Sequence, residues 1–144
     1  DSQVILSGDK TALDEISKLL KSNKKKSIFL PVSAPFHCTL MKPAAEKMKI
    51  LLQKKDFKNS KLQLISNVNA LPIEKDIDVK ELLYRQIFSE VRWRESIEYM
   101  INNGIDDFIE IGPGKVLSGL VKRTNDKVKS RSVTKIEDIK NILL

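Results

Sequence analysis

Phe108-Ile109-Glu110-Ile111-Gly112-Pro113-Gly114-Lys115-Val116-Leu117-Ser118-Gly119-Leu120-Val121-Lys122-Arg123 decides how this chain folds. Its first four residues form a short strand-type run, Gly112-Pro113-Gly114 makes a sharp turn, and Val116, Leu117, Leu120 and Val121 recur at helical spacing. A strand that turns directly into a helix is half of a parallel crossover, and the same alternation recurs upstream. Val4-Ile5-Leu6 reads as a strand, Gly8-Asp9 as a helix start, and Leu13, Ile16, Leu19 and Leu20 as one helical stripe before a second strand from Ser27 to Val32. Ala44, Ala45, Met48, Leu51 and Leu52 mark a helix from Leu40 to about Lys55, with Pro43 tolerated in its first turn. Leu62 to Ser66 alternates as a strand that Asn67-Val68-Asn69 ends in a turn. Helices follow at Val79, Leu82, Leu83 and Ile87 and at Trp93, Ile97, Met100 and Ile101, the second closed by Asn103-Gly104. Beyond Thr124, Ser132-Val133-Thr134 is a short strand and Ile136, Ile139 and Leu143 mark a last helix. Strands separated by helices predict a layered α/β fold with a parallel sheet, whose ligands lie off the carboxyl ends of the strands. Val32 to His37, Ser66 to Asn69 and Ile111 to Gly114 all lie at such ends.

Composition excludes several classes. The 144 residues are 41% hydrophobic and 31% charged, the length of one ordinary domain. No apolar run approaches the roughly 20 residues that span a bilayer, and the first residues lack the pattern of a signal peptide, so a soluble, cytoplasmic chain without a membrane partner is expected. One cysteine rules out an internal disulfide, and with one histidine it cannot complete a structural zinc site. Cys38 reads as a small buried thiol, because sequence neighbours rarely meet side chain to side chain and a dyad with His37 is disfavoured. The net charge of +7 and Lys24-Lys25-Lys26 would suit a nucleic-acid binder. Acidic residues are interleaved with the basic ones, however, and no aromatics alternate with arginines, so a solvated surface is favoured and no nucleic-acid partner is expected.

The single histidine, His37, lies where an apolar segment breaks at prolines and a helix begins. Imidazole exchanges protons near neutral pH, but base catalysis also needs a nucleophile and an orienting partner. Gly112-Pro113-Gly114-Lys115 is not a Walker loop, since Val116 follows the lysine and the glycine spacing is wrong. Glycines that permit a tight turn explain it better.

The run Leu30-Pro31-Val32-Ser33-Ala34-Pro35-Phe36-His37-Cys38-Thr39-Leu40-Met41-Lys42-Pro43-Ala44 resembles the histidine segment of malonyl-CoA:acyl carrier protein transacylases. Three further blocks follow in that family's order: Ile65 to Ala70, Arg85 to Met100 and Glu110 to Arg123. The resemblance runs from near the start of the chain to about Arg123. It implies a hydrolase-like acyltransferase core with a layered parallel sheet, preceded by the remainder of a small ferredoxin-like subdomain. Residues 1–33 would close the ferredoxin-like part and residues 34–144 would form the C-terminal part of the α/β catalytic domain. Family members carry a serine nucleophile in a Gly-x-Ser-x-Gly elbow. None of the five glycines brackets a serine in that way, so the chain is read as the C-terminal portion of a transacylase, inactive alone.

By the same resemblance His37 is the catalytic acid and base, and Gln86 orients it through its backbone carbonyl. Phe36 selects malonyl over branched acyl groups, although a packing role remains open. Asn67 matches a position near the histidine, as either a site-lining or a polar turn residue. Malonyl-CoA and acyl carrier protein are the implied partners, both anionic, which gives a basic face a use. No metal and no separate cofactor is implied: the CoA thioester is substrate, and phosphopantetheine comes on the carrier protein. The alternatives are an acyltransferase fragment of a polyketide synthase and a non-catalytic carrier-protein-binding module.

Overall fold

In the computed structural model, which describes residues 3–58 and 60–143, the chain forms two compact units, Gln3–Arg92 and Trp93–Leu144. The second contains the crossover that the opening stretch predicts. Helix α4 (Trp93–Asn102) leads to strand β1 (Asp107–Ile111), helix α5 (Val116–Thr124), strand β2 (Lys129–Val133) and helix α6 (Ile136–Leu143). The strands pair in parallel, from Asp107 opposite Lys129 to Ile111 opposite Val133. Helix α5 packs on both strands and on α4, while α6 packs on β2. Ile97, Val121 and Val128 are the buried centre, enclosed by Trp93, Met100, Ile101 and Phe108.

Two features hold this crossover in shape. Arg131 on β2 donates from Nε and Nη2 to the two carboxylate oxygens of Asp107 on β1. The pair is about one-third exposed, so it fixes geometry more than it adds stability. Glu110 points from β1 to the start of α5, where its carboxylate accepts from the amides of Leu117 at 3.2 Å and Ser118 at 2.8 Å, and from the Ser118 hydroxyl. Those bonds, the hydroxyl first, hold the Glu110 carboxyl below the ordinary glutamate range. A carboxylate there also meets the positive end of the helix.

The first unit carries α1 (Lys10–Ser22), a 3₁₀ turn (Thr39–Met41) that runs into α2 (Lys42–Gln53), and α3 (Asp76–Gln86), with α2 packed on α3. Asp9 caps α1 by accepting from the amides of Thr11 and Ala12. Pro43 sits in the first turn of α2, where no amide is needed. Ala45 is fully buried. Beside it the Tyr84 hydroxyl donates to Glu46, which raises the phenol's pKa. The Lys49 ammonium lies 4.7 Å from the Tyr84 ring centroid, and Phe88 meets that ring edge-on at 5.2 Å.

Three expected strands are not formed. Val4–Leu6 and Ser27–Val32 carry no ladder among the described residues, and Leu62–Ser66 reduces to one antiparallel bridge, Ile65 with Pro72. A strand is defined by its neighbour, and β-type sequence without one leaves amides and apolar side chains in water. Ile5 is 75% and Phe29 60% exposed as a result.

Both helix ends marked by a left-handed residue close in the same way. At the end of α4 the Ile105 amide reaches the Met100 carbonyl and the Gly104 amide reaches Ile101, each at 3.0 Å, with Gly104 at φ 88°. At the end of α1 the same pairs are Lys25 to Leu20 and Lys24 to Lys21, but the left-handed position at φ 57° is Lys24. This stop favours glycine, since a Cβ in that conformation costs about 1 to 2 kcal/mol. Chemical denaturation should therefore show Gly104→Ala destabilising its unit by about 1 kcal/mol and Lys24→Gly stabilising the other by a similar or smaller amount. Equal midpoints for Gly104→Ala and parent would contradict this reading of the turn.

Candidate active site

His37 occupies the turn that launches the 3₁₀ segment and α2. Its backbone is left-handed, at φ 61°, a conformation uncommon for any residue with a side chain and often found where function demands it. Local bonds enforce the turn. The Phe36 amide bonds the Ala34 carbonyl at 2.9 Å, the Met41 amide bonds Cys38 at 3.0 Å, and the Cys38 thiol donates to the Pro35 carbonyl at 3.2 Å. The imidazole is exposed. Its Nδ1 lies 3.0 Å from the backbone oxygen of Gln86.

That contact follows from where α3 stops. The helix ends at Gln86, and the amides of Ile87 and Phe88 turn back to Tyr84 and Arg85. The Ser89 amide also goes to Arg85. The Gln86 carbonyl is thus one of the orphan acceptors at a helix C-terminus, and the His37 ring takes it. A carbonyl can only accept, so Nδ1 must carry the proton in this bond. The neutral ring then presents Nε2 as a free base, pointing away from the helix.

The side chain of Gln86 turns away from solvent. Its Nε2 is buried with no hydrogen-bond partner among the described residues. Only the main chain of Gln86 serves the histidine. Phe36 is 47% exposed, so among the described residues its ring is not a core residue. Cys38 is partly buried.

Asn67 sits in a loop that other side chains build. Ser66 Oγ accepts from the Val68 amide at 3.1 Å, Asn69 Oδ1 accepts from the Leu71 amide at 3.2 Å, and Ala70 adopts φ 59°. The Asn67 carbonyl accepts from the Arg92 amide at 2.9 Å, which ties the loop to the segment following α3. Among the described residues the Asn67 side chain makes no hydrogen bond to the turn, to His37 or to Gln86. The turn at Asn67–Asn69 is legible in the sequence, but the particular bonds of the Ser66 and Asn69 side chains are not, because serine and asparagine are ordinary in any turn.

The start of α5 after the Gly112–Lys115 turn already holds an anion of the protein's own. The Leu117 and Ser118 amides in the first turn of α5 are filled by the Glu110 carboxylate. Gly112, at φ 146°, donates its amide to Val133 at 3.0 Å and so extends the strand pairing. No group of three or more metal-ligating side chains occurs among the described residues, and no helix there is long and apolar enough to cross a membrane.

Because the Gln86 carbonyl rather than its side chain fixes the ring, Gln86→Ala should leave the His37 tautomer unchanged. Imidazole ¹⁵N shifts at alkaline pH should report protonated Nδ1 and bare Nε2 in both proteins, with stability altered by no more than about 0.5 kcal/mol. A switch to the Nε2-protonated ring in the variant would show that the side chain does the orienting.

No family model matches the chain. It is 47% identical over 138 residues to the malonyl CoA-acyl carrier protein transacylase of Bacillus subtilis, a match that covers 95% of this chain and 44% of that protein. The crystal structure of malonyl CoA-acyl carrier protein transacylase from Clostridium perfringens superposes with a TM-score of 0.88 at 39% identity, over 94% of this chain and 43% of the other. A malonyl-transacylase in complex with its type II polyketide acyl-carrier protein superposes equally well, with a TM-score of 0.88 at 32% identity over 94% of this chain and 44% of that one. The chain therefore spans less than half the length of the proteins it matches. In sequence and in fold it is similar to the C-terminal portion of the malonyl CoA-acyl carrier protein transacylases.

Proposed function

We propose that the complete protein containing this segment transfers malonyl from CoA to the phosphopantetheine thiol of acyl carrier protein, through a serine ester, in cytoplasmic fatty acid synthesis. The observation that carries this reading is the Nδ1 bond from His37 to the Gln86 carbonyl at 3.0 Å. It gives a histidine the orientation that a carboxylate provides in a protease triad, without adding a charge. Residues 1–33 are assigned to the closing part of a ferredoxin-like subdomain and residues 34–144 to the catalytic α/β domain. The nucleophilic serine, the oxyanion donors and the cation for the malonyl carboxylate come from the rest of the protein.

In this scheme Nε2 of His37 takes the serine proton as the serine oxygen bonds to the thioester carbonyl carbon. The imidazolium returns that proton to the departing CoA thiolate, leaving malonyl on serine. Nε2 then removes the proton of the pantetheine thiol, whose sulfur attacks the ester, and the proton goes back to the serine oxygen. Each half-reaction starts and ends with a neutral ring. The positive charge that forms in between faces the carbonyl end of α3, the favourable end of that helix dipole. No metal or redox group takes part. Similarity to the partner of a polyketide carrier protein favours one second reading, in which the acceptor is a polyketide carrier protein and the chemistry is the same.

In the complete enzyme His37→Ala should slow formation of the malonyl-serine intermediate by roughly 10²- to 10⁴-fold. Rapid-quench measurement at saturating malonyl-CoA reads this directly, and a burst at the parental rate would remove His37 from the role of base. Phe36, exposed and immediately before His37 in the sequence, is assigned to acyl selection. Phe36→Ser should raise kcat/KM for methylmalonyl-CoA relative to malonyl-CoA by roughly 10- to 200-fold, the range one methyl group commands in a pocket. An unchanged ratio in a folded, active variant would place selectivity elsewhere.

A further inference from the structure

Side-chain bridges join α2 to α3, and they bracket the residue whose carbonyl holds His37. Lys42, Glu46 and Lys49 fall at i, i+4 and i+7, along one face of α2. Across from them the rings of Tyr84 and Phe88, four residues apart, meet edge-on at 5.2 Å. The Tyr84 hydroxyl donates to Glu46, the Lys49 ammonium lies 4.7 Å from the Tyr84 ring centroid, and the Lys42 ammonium lies 5.8 Å from that of Phe88. Gln86 is midway between the two rings in sequence, and its carbonyl takes His37 Nδ1 at 3.0 Å.

Apolar packing does little to fix how far α2 slides along α3. Ala45 is the one buried residue of α2 among the described residues, and a methyl group makes only a low ridge for a neighbouring helix to grip. The Tyr84–Glu46 bond joins groups open to solvent, so it adds little to stability. Its tolerance is narrow, however, because a hydrogen bond is lost once its atoms part by more than roughly 3.5 Å. It therefore selects one register. Both ends of the imidazole contact ride on that register: α2 grows out of the turn that carries His37, and α3 ends at Gln86. Neither Tyr84 nor Glu46 hydrogen-bonds His37 or Gln86 among the described residues, so any effect on the ring passes through the helices.

Resting on the transacylase reading, we propose that Tyr84 and Glu46 are positioning residues for the reaction: their bond sets α2 on α3 so that His37 Nδ1 stays on the Gln86 carbonyl and Nε2 stays the base. Without the bond the helices loosen and the Nδ1 contact lengthens. The ring is then released to the tautomer that carries its proton on Nε2, which cannot accept another there.

Tyr84→Phe removes the hydroxyl and keeps the ring for Lys49 and Phe88, so in the complete enzyme it isolates the bond. Malonyl-enzyme formation at saturating malonyl-CoA should slow by roughly three- to fivefold, the order expected for one hydrogen bond, with the half-saturating malonyl-CoA concentration unchanged. Imidazole ¹⁵N shifts at alkaline pH, which need no substrate, should move from protonated Nδ1 toward protonated Nε2. Glu46→Ala should do the same, and the double variant should be no slower than either single one. Glu46→Gln keeps an acceptor for the hydroxyl and should restore most of the rate. A parental rate or parental ¹⁵N shifts in Tyr84→Phe would overturn the inference. So would additive losses in the double variant, which would mean that the two side chains act separately. Should Tyr84→Phe fail to fold, Glu46→Ala against Glu46→Gln makes the same comparison. If the parent forms no malonyl-enzyme, the transacylase reading fails, and the ¹⁵N shifts alone still decide whether the bond orients His37.

Discussion

One hydrogen bond, from His37 Nδ1 to the Gln86 carbonyl at 3.0 Å, sets what the rest of Gln3–Arg92 has to provide. It requires a helix that stops where its last carbonyls are unclaimed, and a turn that holds an imidazole in a left-handed backbone against that end. The packing of α2 on α3 brings the two together. The Tyr84–Glu46 bond and the stacked Lys49, Tyr84 and Phe88 fix the register of the helices. The loop from Ser66 to Leu71 anchors the chain leaving α3 through the Arg92 amide. The arrangement orients the ring through the main chain of Gln86 rather than its side chain, so the ring's orientation depends on where α3 ends.

The same economy appears in Trp93–Leu144, where Glu110 occupies the amides at the head of α5. A glycine-rich turn before a helix invites a bound phosphate. Here the protein supplies its own anion, and the turn is structural. Acid should affect this cap in a defined direction. Because the folded Glu110 carboxyl is held below its ordinary value of 4.5, its stabilisation is complete above the unfolded pKa and is lost as pH falls through the lowered folded value.

Legibility in the sequence followed how local each interaction is. The helices around Val116 to Val121 and Trp93 to Ile101, the glycine stop at Gly104 and the proline at Pro43 were readable, because periodicity and helix-end chemistry lie within a few residues. His37 and the Gln86 carbonyl were named from family resemblance rather than from spacing; 49 residues separate them, and no local pattern connects them. Val4–Leu6 and Ser27–Val32 have strand composition without strand structure, because pairing depends on a neighbour that composition cannot supply. Glu110 lies in a strand-type run, and a carboxylate reaching across to a helix start leaves no periodic trace there. Lys24 as a left-handed helix stop contradicts the preference for glycine and could not be anticipated.

The central claim is that the carbonyl of Gln86 directs His37 to act through Nε2. Replacing the amide between Gln86 and Ile87 by an ester, in complete enzyme assembled by ligation, weakens that carbonyl as an acceptor without touching a side chain. An ester one residue later, between Ile87 and Phe88, removes a comparable amide and leaves the Gln86 amide carbonyl intact as the control. The predicted result is malonyl-enzyme formation slowed by up to roughly fivefold by the first ester and little by the second, as expected for weakening one hydrogen bond worth about 1 kcal/mol. Equal rates for the two esters would contradict the account.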